Sequence, residues 1–194
     1  MLFFDYDLDG WPDLLSANGH LEEEIGKVQQ SQTYAQPAQL FWNRGAKKRA
    51  GFEPVPDEKA GADLFRPIVG RGAAFGDLDG DGDLDLVLTQ TGGKPLVLRN
   101  DQKLAHHFIR LKLTGTKSNR DAIGALVRAK IGNEVRTQRV LASRSYLSAS
   151  ELPITIGLGA ADKIDALEIV WPGGDVQKVG EWKMDGVTAV GQTK

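Results

Sequence analysis

Two short segments of the chain place aspartates at alternating positions. In DYDLDGWPD (5–13) and DLDGDGDLD (77–85), aspartates occupy positions 1, 3, 5 and 9, and a glycine occupies position 6. Such carboxylates can converge on one point, because the glycine lets the chain turn sharply around it. Calcium is a hard cation that takes about six to eight oxygen ligands, and a short acidic turn can supply them. The spacing therefore predicts two calcium-binding loops.

Each loop offers carboxylates from positions 1, 3, 5 and 9 and a main-chain carbonyl from position 7. The candidate ligands of the first loop are Asp5, Asp7, Asp9, Trp11 (through its carbonyl) and Asp13. Those of the second loop are Asp77, Asp79, Asp81, Asp83 (through its carbonyl) and Asp85. Magnesium is the weaker candidate, because it prefers octahedral sites that keep several waters.

The loops differ from EF-hands, which carry a glutamate at position 12 and are followed by a helix. Here position 12 is Ser16 or Leu88, and a strand-like segment follows. An acidic hairpin held only by side-chain-to-backbone turns is the alternative. However, clustered carboxylates repel one another by roughly 1 kcal/mol per pair even at high effective dielectric. Two such clusters in register favour a bound cation.

Catalysis is a second alternative for paired carboxylates. Glycosidases use two carboxyl groups, one of which has a raised pKa in an apolar pocket. In this chain every clustered acid already serves as a candidate ligand, and no isolated glutamate stands out. The serines of SRSYLSAS (143–150) lack the G-x-S-x-G surroundings of a nucleophile elbow, and the chain has no cysteine. We therefore expect a protein that is not an enzyme.

The charge distribution limits the classes of partner. Nine of the 26 acidic residues lie in the two loops, so the remaining chain has 17 acidic against 24 basic residues. That excess is small, and the basic residues are not clustered with aromatic residues as in nucleic-acid-binding surfaces. No apolar run approaches the roughly 18 residues of a membrane span. The opening MLFFDYDLDG has no basic region followed by an apolar one, so it is not a signal peptide.

The segments around the loops indicate an all-β protein. An apolar strand pattern follows each loop, and LFWNRG (40–45) corresponds to LVLRND (96–101), each a strand ending near an Asn. The insertion between Asn18 and Gln39 is expected to be a surface loop. FIRLKL (108–113) alternates apolar and basic residues, which is typical of a half-buried strand. Short strands separated by turn residues continue to the C-terminus and suggest a small sandwich or barrel. We place the domain boundary between residues 102 and 103.

Taken together, these segments resemble the FG-GAP/VCBS-repeat proteins that end in an ASPIC/UnbV domain, a family that includes the cartilage acidic proteins and the UnbV proteins. The matching segments are DYDLDGWPDLLSANGH, LFWNRG, GRGAAFGDLDGDGDLDLVLTQ, LRND, GTKSNRDAIGALV, SRSYLSAS, GLGAAD and LEIVWPGG. The resemblance implies two blades of a calcium-bearing β-propeller over residues 1–102, then a small β domain over 103–194. Because propellers generally need about four to eight blades, the chain is expected to be a C-terminal fragment whose missing upstream blades are one of its partners.

The resemblance further implies an extracellular or envelope location and a non-catalytic role in adhesion or recognition. Its ligand would be a protein or a glycan. The alternative that the same resemblance offers is an accessory protein or enzyme of a natural-product biosynthesis cluster. A piece with a purely structural role, whose partner is its own propeller, is a third hypothesis.

Overall fold

The computed structural model describes residues 1–45 and 51–193, and most of its regular structure is β-strand. The N-terminal strands are β1 (Leu2–Phe4), β2 (Asp13–Ser16), β3 (Gln39–Asn43), β4 (Phe52–Pro54), β5 (Gly70–Gly76), β6 (Asp85–Gln90) and β7 (Leu96–Leu98). The C-terminal strands are β8 (His107–Thr114), β9 (Leu126–Ile131), β10 (Glu134–Arg139), β11 (Ser143–Ser145), β12 (Ser148–Ala149), β13 (Ile154–Gly159), β14 (Ala166–Val170), β15 (Val176–Val179) and β16 (Val187–Gly191). The helices are short: α1 (Ile25–Val28), α2 (Asp57–Ala60) and a 3-10 turn, Ala62–Phe65. The predicted all-β class is confirmed.

Two antiparallel sheets make up the N-terminal part. Strands β1 to β4 form the first sheet and β5 to β7 the second, each in chain order. In both sheets an aspartate loop joins the first two strands. Phe4 pairs with Asp13 across the first loop, and Gly76 pairs with Asp85 across the second. The last aspartate of each loop therefore begins a strand that returns beside the strand before the loop, as expected of two repeats.

Side-chain alternation packs these two sheets over a shared apolar cluster. On β1, Leu2 and Phe4 are buried while Phe3 between them is exposed, because successive side chains of a strand point to opposite faces. The N-terminal cluster also includes Leu15, Leu40, Ile68, Phe75, Leu86 and Leu88. Phe4 and Phe75 stack with ring centroids 6.0 Å apart, which joins one sheet to the other. The strands that carry the two loops therefore share one apolar cluster.

The insertion between β2 and β3 lies at the surface, as predicted. Its residues are mostly exposed, and α1 is its only helix in the described part of the chain. One end of the insertion is tied to the second sheet, since the Gly70 N–H donates to the Asn18 carbonyl at 2.8 Å. Near the other end, Gln36 forms a β-bridge with Ile68, just before β5. The segment extends the first repeat and contributes only Ala38, next to β3, to the buried N-terminal cluster.

Two sheets pack face to face in the C-terminal part. One has the order β10-β9-β14-β15, and the other has the order β13-β8-β16, in which β16 runs parallel to β8. Their inner faces bury a second cluster that includes Ile109, Leu111, Val127, Ile154, Ile156, Leu167, Ile169 and Trp171. Of the two expected forms, the sandwich is the one observed, and neither sheet closes into a barrel within the described residues.

The N-terminal and C-terminal parts contact each other through main-chain hydrogen bonds. The Phe75 N–H donates to Ser150 Oγ at 3.2 Å, and the Glu151 N–H donates to the Phe75 carbonyl at 3.2 Å. Residues 99–106 connect β7 to β8 and contain the predicted boundary between residues 102 and 103. That boundary stays a prediction, because the two parts are packed together on both sides of it.

Candidate metal centre

The first loop is closed by its last aspartate. The two carboxylate oxygens of Asp13 accept main-chain N–H groups of Tyr6 at 3.0 Å and Asn43 at 2.7 Å. Asp13 begins β2, on the same face as the buried Leu15, so strand alternation aims its carboxylate inward. One side chain therefore ties the start of the loop to its end and to the neighbouring strand.

The second loop repeats this frame residue for residue. The carboxylate of Asp85 accepts the N–H of Leu78 at 2.8 Å and that of Asn100 at 2.8 Å. Asn100 follows β7 as Asn43 ends β3, so the aligned Asn residues occupy equivalent places. Each carboxylate oxygen of Asp85 keeps a further lone pair, which leaves it free to bind a cation.

Both loops turn through left-handed backbone at positions 4 and 6. Position 6 is Gly10 (φ +91°) or Gly82 (φ +98°), as the sequence predicted. Position 4 is Gly80 (φ +84°) in the second loop but Leu8 (φ +57°) in the first. A leucine is rarely found in this region, because its Cβ crowds the following carbonyl. Leu8 is held there by burial, with 1% of its surface exposed.

In each loop the carboxylates of positions 1, 3 and 9 come together. Asp5, Asp7 and Asp13 place one oxygen each within 4.8 Å of one another, and so do Asp77, Asp79 and Asp85. Six of the eight predicted carboxylate ligands thus form two equivalent trios.

The remaining candidates lie beside the trios. At position 5, Asp9 Oδ1 accepts the N–H of Trp11 at 2.8 Å, and Asp81 Oδ1 accepts that of Asp83 at 2.9 Å. At position 7, the Asp83 side chain accepts a hydrogen bond from Gln102, which leaves its carbonyl as the candidate ligand. The predicted carbonyl ligands, Trp11 and Asp83, stay predictions.

The first loop is electrostatically strained without a cation. Burial raises the pKa of Asp5 well above its ordinary value, and the neighbouring Asp13 and Asp7 raise it further. Burial is also the main cause that raises the pKa of Asp13 to about 8. Asp5 Oδ1 is buried and has no hydrogen-bond partner. An unpartnered buried oxygen is costly, so the donor set of this trio fits a hard cation that would bind it.

The second loop is more open. The side chain of Asp79 is 37% exposed, whereas that of Asp77 is only 3% exposed. Burial raises the pKa of Asp83 to about 6, and the nearby Asp81 and Asp85 contribute to this rise. The trio fits a divalent ion by its oxygen ligands, but water can already reach part of it.

The C-terminal part covers the first loop directly. The Gly159 N–H donates to the Leu8 carbonyl at 2.8 Å, and His106 Nδ1 lies 2.6 Å from the Asp7 carbonyl. Gly157 approaches so closely that a Cβ there would lie 2.3 Å from Asp5 Oδ2. Adjacent His107 instead pairs with Asp185 at 2.8 Å. The two histidines therefore have separate partners.

At the second loop the contact is ionic. Arg110 of β8 places Nε 3.3 Å from Asp77 Oδ2 and also pairs with Glu151. This contact was not predicted, because the alternation in FIRLKL places Arg110 on the solvent face of its strand. The side chain is instead buried, with 7% exposed. The alternation of apolar and basic residues shows only that the polar face of this strand contacts either water or a charged partner.

Comparison with known proteins agrees with the two-part structure. Residues 5–88 match the FG-GAP-like repeat family, and residues 115–194 match the ASPIC and UnbV family. Cartilage acidic protein 1 of Xenopus tropicalis is 32% identical over 149 residues, which cover 72% of this chain and 22% of that protein. The chain thus spans about a fifth of the length of this relative. No helix in the described residues is long and apolar enough to cross a lipid bilayer.

These matches fall on the segments that carry the resemblance. The first covers both aspartate loops, and the second covers most of the C-terminal sandwich. The chain belongs to the family in which FG-GAP-like repeats are followed by an ASPIC/UnbV domain.

Proposed function

We propose that this chain is a calcium-binding, non-catalytic recognition or adhesion module of an extracellular or envelope protein. The carrying observation is the pair of equivalent carboxylate trios, one of which includes a buried oxygen without a partner. The FG-GAP-like repeat and the ASPIC/UnbV domain support a role in recognition. The same repeat and the cartilage acidic protein relative support the location.

Calcium suits the trios better than magnesium does. Each trio presents three carboxylates from an irregular turn, and calcium accepts irregular oxygen shells at about 2.3–2.6 Å. Magnesium needs a near-ideal octahedron and gives up its waters reluctantly. The main-chain carbonyls of Trp11 and Asp83 would add ligands from the same turns. Calcium would thereby neutralise carboxylates that otherwise repel one another.

The ions would act by stabilising the folded loops. A ligand that binds only the native state stabilises it by about 2.7 kcal/mol at a hundred times its dissociation constant. This effect would fix β1 against β2 and β5 against β6, and it would give the module a rigid surface. A partner, either a protein or a glycan, would then bind a preorganised surface at a smaller entropic cost.

Calorimetric titration of the metal-free chain tests the calcium assignment. We expect two calcium ions per chain and clearly weaker magnesium binding. The paired substitution Asp7→Asn with Asp79→Asn should abolish both binding events, since each removes one carboxylate from a trio without changing its shape. The control is Asp162→Asn, which removes an exposed carboxylate outside the loops. Unchanged calcium binding in the paired variant would refute the ligand assignment.

The recognition role is tested on immobilised chain. A panel of matrix proteins and glycans is passed over the surface in millimolar calcium and then in chelator. We expect at least one component to bind in calcium and to dissociate in chelator. If none binds in calcium while the loops are demonstrably loaded, the recognition role fails and the calcium assignment survives.

A further inference from the structure

Arg110 is a buried cation placed against the second loop by the C-terminal part. Its guanidinium contacts the Asp77 carboxylate through Nε at 3.3 Å. Nη1 donates to Glu151 Oε1 at 2.6 Å and to Thr155 Oγ1 at 2.6 Å, and Nη2 pairs with Glu151 Oε2. The fork geometry of arginine holds the group in one orientation. One positive charge is thus shared between two carboxylates.

Glu151 contacts the second loop as well as Arg110. Its Oε2 accepts the N–H of Asp77 at 3.2 Å, so it touches the first residue of the loop directly. Asp77 Oδ1 in turn accepts the Gly80 N–H at 2.8 Å. The turn from position 1 to position 4 is therefore held by hydrogen bonds and an ion pair that need no metal.

In the first loop no cation is paired with the aspartate at position 1. Asp5 occupies the same position as Asp77, and it forms no ion pair in the described part of the chain. Arg136 of β10 packs against Gly10 of this loop, and its charge favours the ionised form of Asp9, but it forms no ion pair with the trio in the described residues. Its guanidinium donates to the Gly157 carbonyl instead. The backbone of Gly157 fills the place opposite Asp5. The aspartate at position 1 therefore lies beside a cation in the second loop and beside backbone atoms in the first.

We propose that Arg110 sets the ion affinity of the second loop and makes the two loops unequal. The inference rests on the calcium binding proposed above. The guanidinium supplies part of the positive charge that a divalent ion would supply, and it repels an ion bound to the same carboxylate. The second loop accordingly binds calcium at least about tenfold more weakly than the first, and it keeps its shape when the ion leaves.

Two substitutions of opposite expected effect test this. Arg110→Gln removes the buried cation beside Asp77 and leaves the exposed Arg99, 3.7 Å from Asp79 Oδ2, in place. It should therefore tighten calcium binding at the weaker site by about tenfold. Glu151→Gln removes the anion that compensates Arg110, so it should weaken the same site. A residue that only supports the fold would weaken binding in both variants. The charge-retaining Arg110→Lys should stay within about threefold of the original chain, and circular dichroism checks folding in every case.

The sites are distinguished by calorimetry together with terbium luminescence. Trp11 lies in the first loop, whereas the second loop has no tryptophan or tyrosine, so energy transfer from indole to terbium reports the first site. Calcium competition against this signal should be the same in all four chains. Equal affinities at the two sites, or an Arg110→Gln variant that weakens the second site, would overturn the inference. No binding at either loop would instead refute the proposed function itself. If Arg110→Gln fails to fold, a Glu151→Gln variant with unchanged or tighter binding overturns the inference alone.

Discussion

The two loops share one pattern of aspartates but lie in different surroundings. The first is covered by main-chain groups of the C-terminal part, and two of its aspartates are at most 5% exposed while Asp13 is fully buried. The second has the exposed Asp79 and a buried arginine beside Asp77. Identical ligands can therefore produce different sites, because burial and neighbouring charge determine how strongly a carboxylate set requires a cation.

The first expected difference between the loops is in calcium-dependent stability. Asp7→Asn should remove more of the calcium stabilisation than Asp79→Asn, because the first loop is the tighter site. With a tenfold difference in affinity, the gap is about 1.4 kcal/mol at saturating calcium. Without calcium, Asp7→Asn should leave the chain as stable as before or more so, since it removes one repelling charge. Denaturant unfolding of both variants, with and without calcium, measures the four values.

An equal calcium response of Asp7→Asn and Asp79→Asn would remove the distinction between the loops. A loss of stability in Asp7→Asn without calcium would show that this carboxylate supports the fold by another contact. The exposed variant Asp162→Asn again serves as the control.

The pH dependence should also differ with and without the ion. The pKa of Asp13 rises from its ordinary value of 3.8 to about 8 on folding, chiefly through burial. Between these values the ion-free native state binds more protons than the unfolded state does, so its stability falls as the pH rises from about 4 to about 8. With calcium the sign reverses, because the ion binds the deprotonated carboxylates. Urea unfolding at pH 5 and pH 8 checks both signs.

If the metal-free chain instead gains stability between pH 5 and pH 8, the first loop is not electrostatically strained without a cation. Asp13→Asn should lower the pH dependence in the absence of calcium, and the part that remains should come chiefly from Asp5, whose pKa burial also raises. The two ion-free curves would then differ mainly between pH 4 and pH 8.

Much of the site followed from spacing alone. Aspartates at positions 1, 3 and 9 form the trios because a glycine turn and the following strand fix their directions within a few residues. Burial of the first loop did not follow, since it depends on Gly157 and Gly159, which are about 150 residues away along the chain. Arg110 was missed for the same reason. Its strand was predicted correctly, but alternation cannot show whether a polar face meets water or an acidic loop.

The next prediction concerns Gly157, whose backbone lies close against the first loop. An added Cβ would lie 2.3 Å from Asp5 Oδ2 and 2.5 Å from the Leu8 backbone, so Gly157→Ala must displace the loop. Such overpacking typically costs about 1–3 kcal/mol. The control, Gly180→Ala, has no atom within 4 Å of its Cβ position. Calorimetric melting compares the two, and calcium affinity at the first loop should fall only in Gly157→Ala. Equal melting temperatures of the two variants would show that the C-terminal part does not pack tightly against the first loop.

The last comparison concerns position 4, where the loops differ in residue type. Gly80→Ala meets no atom within 4 Å, so its cost comes only from the left-handed backbone at φ +84°. That cost is about 1–2 kcal/mol, and it should appear with or without calcium because the Asp77–Gly80 hydrogen bond already fixes the turn. Leu8→Gly should destabilise the first loop despite relieving the same strain, since a buried leucine side chain contributes about 1.5–3 kcal/mol. The free energies of unfolding of Gly80→Ala and Leu8→Gly are measured, with Gly180→Ala as the control. A stabilised Leu8→Gly would mean that the cover formed by the C-terminal part does not hold the first loop in its strained shape.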